Sequence, residues 1–125
     1  RWPLTSGGLI GGVSGRKEAS AQSGAETLLP LTRELFFEDA LVFKHLSSAR
    51  VRLESKKTPH GLEMTFEGFP YFGVWAAKNA DFVCLEPWCG IADAEDASQQ
   101  LAEKEGIVLL QPGSQWSHGW QVAFW

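Results

Sequence analysis

Cysteine is scarce in this chain of 125 residues, where Cys84 and Cys89 are the only two. Two thiols are too few for a disulfide scaffold, and neither belongs to a set of four spaced to close around zinc. Both read as reduced and structural. Positive charge is also short, with 11 Lys and Arg against 15 Asp and Glu and a formal net charge of −4. Phosphate backbones are bound by clustered Lys and Arg, so this balance argues against nucleic acid and favours a neutral partner. No apolar run approaches the length of a membrane span, and the opening Arg1-Trp-Pro-Leu-Thr is not a signal peptide. The sequence therefore reads as soluble and cytoplasmic, with no membrane partner. An initiating Met, internal repeats and low-complexity tracts are lacking as well.

Apolar residues make up 44% of the chain and six are Trp, enough apolar surface to offset the entropy of ordering one globular domain. Glycines at 7, 8, 11, 12, 15 and 24 break up the first part, which fits hairpins and loops. Pro30 argues against one helix over 28–43, so an irregular approach to a short strand at 40–43 is expected. Over 49–55, Val51 and Leu53 alternate with Arg50, Arg52 and Glu54, the period of a strand with one wet face. Residues 62–66 alternate again beyond the turn Lys57-Thr-Pro-His-Gly61, which predicts a hairpin.

Residues 69–75 and 82–86 are apolar on both sides of the chain, as expected of central strands covered on both faces. Ala, Gln, Glu and Leu over 94–105 favour either a short helix, capped by Ser98 and stopped by Gly106, or an ordered loop. Two further strands are expected, one at 107–110 and one within 116–125, across the turn Gln111-Pro-Gly-Ser114. The expected fold is all-β, a mostly antiparallel sandwich with at most one short helix.

Alternation in Phe82-Val-Cys-Leu-Glu-Pro-Trp88 places Phe82, Cys84 and Glu86 on one face, setting a carboxylate beside two apolar groups at a strand end. Such a carboxylate is salt-bridged, functional, or turned to water as the strand leaves the sheet, and Arg50 and Arg52 are the candidate partners. Pro87 should hold Glu86 extended and end ladder pairing, while Trp88 offers a flat apolar surface of the kind sugar C–H faces pack on. Asp39 either accepts hydrogen bonds from substrate hydroxyls or, as residue type favours, satisfies local backbone donors in a turn. His45, His60 and His118 lack metal-ligand spacing. Asp93, Glu95 and Asp96 lack the EF-hand pattern, and the glycines at 7–12 lack the Lys-Ser/Thr ending of a phosphate loop.

Taken in order, Phe69-Pro-Tyr-Phe-Gly-Val-Trp75, Phe82-Val-Cys-Leu-Glu-Pro-Trp-Cys-Gly-Ile-Ala-Asp93, Lys104-Glu-Gly-Ile107 and Leu110-Gln-Pro-Gly113 resemble the C-terminal part of the aldose 1-epimerase (galactose mutarotase-like) family, LacX-type branch. The resemblance implies a β-supersandwich with a sugar cleft on one concave sheet. It also implies interconversion of the α and β anomers of a hexose or hexose phosphate, with neither cofactor nor metal. It gives Glu86 the role of general base and sets Asp39 in the place of an aspartate that hydrogen-bonds the sugar, although Ala-Leu-Val-Phe follows it here. The family's acid is a histidine upstream of every matched motif. Residues 1–125 are thus expected to be the C-terminal portion of a domain about twice this length. Its sheet edges would be exposed to self-association. The other expectations are a carbohydrate-binding module, holding its ligand on Trp75, Trp88 and Asp39 without turning it over, and an inactive fragment.

Overall fold

The described residues form six strands in two antiparallel sheets, some from alternating apolar and polar residues and one, at 71–75, from a continuous apolar run. The computed structural model describes residues 29–44, 46 and 48–125; the glycine-rich stretch at 7–24 and His45 lie outside them. The strands are β1 Leu41–Lys44, β2 Arg50–Glu54, β3 Gly61–Thr65, β4 Tyr71–Trp75, β5 Cys84–Trp88 and β6 Gln121–Phe124. The first sheet runs β1-β4-β5 and the second β2-β3-β6. The expected hairpin forms with Val51 opposite Met64 and Leu53 opposite Leu62. Its wet face carries Arg50, Arg52, Glu54 and Glu63, joined by exposed ion pairs of the kind that contribute little to stability.

The core lies between the sheets. Phe43, Phe72 and Val74 from the first meet Val51 and Met64 from the second. Phe66 stacks on Phe72 with ring centroids 4.4 Å apart, and both rings are almost fully buried. A short 3-10 turn, Arg33–Phe36, adds Phe36 to this core, and Arg33 reaches across to the Asn79 carbonyl and the Asp81 carboxylate.

Three expectations are corrected. Strand β4 is central and buried, but β5 is an edge strand of its sheet among the described residues and only half-buried. An apolar composition cannot by itself tell an edge from a centre. Pairing also continues through Pro87, which lies opposite Phe72, to Trp88 opposite Tyr71; an edge strand tolerates proline because one side of its backbone needs no ladder partner. Residues 107–110 form no strand, and Leu109 and Leu110 are exposed.

The turn after them is present: the Ser114 N–H donates to the Gln111 carbonyl at 3.0 Å, and Gly113 takes a φ of +77°. Residues 94–105 form an ordered loop holding a single 3-10 turn, Leu101–Glu103. Ser98 accepts a hydrogen bond from the Gln100 N–H without starting a helix. Among the described residues no helix is long and apolar enough to cross a membrane.

Candidate active site

The strand register sorts the first sheet into two faces. Leu41, Phe43, Phe72, Val74, Leu85 and Pro87 point to the core side. Val42, Lys44, Tyr71, Gly73, Trp75, Cys84, Glu86 and Trp88 occupy the other face. Glu86 is paired across the sheet with Gly73, Cys84 with Trp75, and Trp88 with Tyr71. One carboxylate thus sits among aromatic groups on a face that the core does not use.

Gly73 explains how Trp88 comes beside Glu86. A Cβ at residue 73 would lie 2.5 Å from Trp88 Cζ2 and 2.7 Å from Cη2. The indole therefore lies across the β4 backbone at the very residue that faces Glu86. Trp75 lies at the other end of the face and makes a tilted contact with Phe82, centroids 6.1 Å apart. Phe82 precedes the strand and is exposed.

Glu86 itself is half-buried. Neither Arg50 nor Arg52 pairs with it: on the hairpin Arg50 faces Glu63, and Arg52 faces Glu54 and Glu63. Its neighbour on the strand face is Cys84. Burial pushes the Cys84 thiol up, and the Glu86 carboxylate adds to the rise by its charge and by accepting a hydrogen bond from the thiol. Burial also raises Cys89, and both cysteines are free.

Asp39 lies two residues before β1 and is exposed; its Oδ1 accepts the Ala40 N–H at 2.7 Å, the local bond of a turn acid. His118 Nε2 lies 3.1 Å from the Glu67 carbonyl oxygen, and its ring packs against Phe69 and Trp116. His60 is exposed in the β2–β3 connection.

Sequence reasoning missed three members of this face and one neighbour: Gly73, Lys44, Tyr71 and Glu105. Lys44 Nζ donates to both Glu105 carboxylate oxygens at 2.7 and 2.8 Å, and Tyr71 Oη donates to Oε1 at 3.3 Å. Burial raises the Tyr71 pKa, and the Glu105 charge and hydrogen bond raise it further, against a smaller lowering by Lys44. Period-2 reading of 69–75 does put Tyr71 and Gly73 with Trp75, but nothing local in the sequence brings Glu105 to them.

No family model matches the chain. Two curated proteins do, both called LacX and both from Lactococcus lactis subsp. lactis, one chromosomal and one plasmid-borne. Each is 33% identical over 85 residues, which is 67% of this chain and 28% of the relative. Among solved structures, a galactose mutarotase related enzyme from Lactobacillus acidophilus superposes with a TM-score of 0.72 at 27% identity, over 98% of this chain and 42% of that one. This chain therefore spans well under half the length of the relatives it matches. With this fold and these relatives, the chain belongs to the aldose 1-epimerase-like, or galactose mutarotase-like, family. Within that family its curated likeness is to the LacX proteins.

Proposed function

We propose that this chain supplies the base side of a sugar mutarotation site, with Glu86 as general base. The observation that carries the reading is the half-buried Glu86 carboxylate on the open face of the first sheet, beside an indole that Gly73 lets lie flat. Aromatic faces suit the C–H faces of a pyranose, and a carboxylate at the platform's edge suits the anomeric hydroxyl.

In the proposed reaction, Glu86 takes the proton of the C1 hydroxyl while an acid protonates the ring oxygen. The C1–O bond of the ring breaks and C1 becomes an aldehyde. After rotation about the C1–C2 bond, the ring hydroxyl adds to the other face of the aldehyde. The acid's conjugate base then takes the hydroxyl proton, and Glu86 returns its own to O1. Atoms and protons balance, so the scheme calls on no cofactor. A positioned acid or base contributes about 10²–10⁴-fold.

The partner acid is proposed to be a histidine encoded upstream of Arg1. Asp39, with one oxygen engaged by Ala40, is proposed to offer the other to a sugar hydroxyl. The substrate is proposed to be a hexose or hexose phosphate. A cytoplasmic location belongs to the same proposal, in keeping with free Cys84 and Cys89.

A second reading, a carbohydrate-binding module, is favoured by Trp75 and Trp88 on one face, because stacking needs no second catalytic group. Tryptophan fluorescence during titration with galactose and glucose, run beside polarimetry of the freshly dissolved α-anomers and with the chain joined to the polypeptide proposed upstream in both, separates the two. Saturable binding with faster anomerisation supports the enzyme, and saturable binding at the uncatalysed rate supports the module. The absence of both defeats the sugar reading.

A further inference from the structure

We propose that Glu105 is a positioning residue for Trp88, clamping the 89–106 loop onto the sheet row formed by Lys44, Tyr71 and Trp88. The proposal rests on the sugar-site reading for its purpose, though not for its geometry. Lys44, Tyr71 and Trp88 lie side by side on β1, β4 and β5. Glu105 joins the first two from outside the sheet, through two bonds from Lys44 and one from Tyr71. The Lys44 side chain is only 17% exposed against 53% for Glu105. Removing the carboxylate would leave a mostly covered ammonium without this charge partner, so the clamp should be stronger than a surface pair.

The backbone around Glu105 also has contacts that seat it. The Glu105 carbonyl accepts the Ile91 N–H at 3.4 Å, drawing the two ends of the loop together just after Trp88. Gly106, at φ +76°, lies so close that a Cβ there would overlap the Tyr71 ring and come within 2.5 Å of the Cys89 carbonyl oxygen. Lys104 adds a bond to Asp93 at 2.8 Å across the same loop. Trp88 is therefore held from two sides: β4 at Gly73 lies under its ring, and the loop that follows it is fixed through Glu105. Glu105 should affect how tightly a sugar is held rather than how fast Glu86 moves a proton.

The test uses Glu105→Gln, which keeps the side-chain size, and Lys44→Met, which keeps the stem. The long-wavelength tryptophan band of the near-ultraviolet circular dichroism, beyond tyrosine absorption, should change in both variants, and the change should vanish when either is made in a Trp88→Phe chain. Tyr71 is the only tyrosine in the sequence, so phenolate absorbance reports on it alone and should appear at lower pH in Glu105→Gln. Half-saturation with D-galactose, read by tryptophan fluorescence, should rise about tenfold in both Glu105→Gln and Lys44→Met. An unchanged tryptophan band, or a change in that band that persists without Trp88, overturns the proposal. A wild-type chain with no response to galactose would sink the sugar reading alone, leaving the dichroism comparison to decide the clamp.

Discussion

A methyl group added at residue 73 would meet the Trp88 indole at 2.5 Å, and Gly73 is not at positive φ, so the obstacle is the ring and not the backbone. Gly73→Ala should therefore displace Trp88 at a cost of about 1–3 kcal/mol. Denaturant melts measure the cost, and a shifted tryptophan emission reports the displacement; an unchanged midpoint and spectrum would contradict the packing described. Tyr71 makes a prediction of opposite character. Its folded pKa is raised, so the stability it contributes is fully present below the ordinary phenol value near pH 10 and is lost as pH rises through the folded value. Urea midpoints followed through that window should fall in the wild type and fall less in Tyr71→Phe.

At the same scale the site was partly legible. Glu86 and Trp88 declare a shared face by their spacing of two along one strand. Gly73 and Tyr71 join them only when the register of β4 on β5 is known, and Glu105 only when a loop closes over the sheet. These are long-range contacts, which no local pattern encodes.

Among the elements, β2 and β3 were readable because one wet face makes the alternation plain. Strand β4 was readable as a continuous apolar run, and Phe72 shows why it is central: it is fully buried and stacks on Phe66. Phe72→Ala should cost about 3–5 kcal/mol, the range for removing a large buried ring. A denaturation midpoint within experimental error of wild type would show that this core is misplaced. The apolar run at 107–110 misled because strand formation needs a ladder partner, and the described residues give it none. Over 94–105 helix propensity lost to tertiary contacts: the Lys104–Asp93 bond and the Ile91–Glu105 bond close the segment as a loop, and Gln99 sits at φ +61° within it.

For the whole molecule, the two sheets meet at one core but leave an apolar groove of about 280 Å³ that includes Leu53, Leu85, Val122 and Phe124. Phe124 is 77% exposed and Trp120 57%. Strands β5 and β6 are edges among the described residues, and open edges beside apolar surface favour association. Sedimentation equilibrium should show a mass that rises with concentration, and Phe124→Lys should reduce the rise; a monomer at every concentration would contradict this.

The overall architecture was legible from strand periodicity and ordered motifs. The resemblance also led to the expectation of a site larger than this chain, which covers 28% of the LacX proteins and 42% of the mutarotase-related enzyme. A complete sugar site is therefore proposed to draw on polypeptide encoded upstream of Arg1.

The most direct test is polarimetry of freshly dissolved α-galactose with the chain joined to that upstream polypeptide, in wild-type and Glu86→Gln forms. A wild type that accelerates anomerisation, and a variant that binds galactose equally well but loses about 10²–10⁴ of the rate, is the predicted result. A Glu86→Gln protein that keeps the wild-type rate would contradict it.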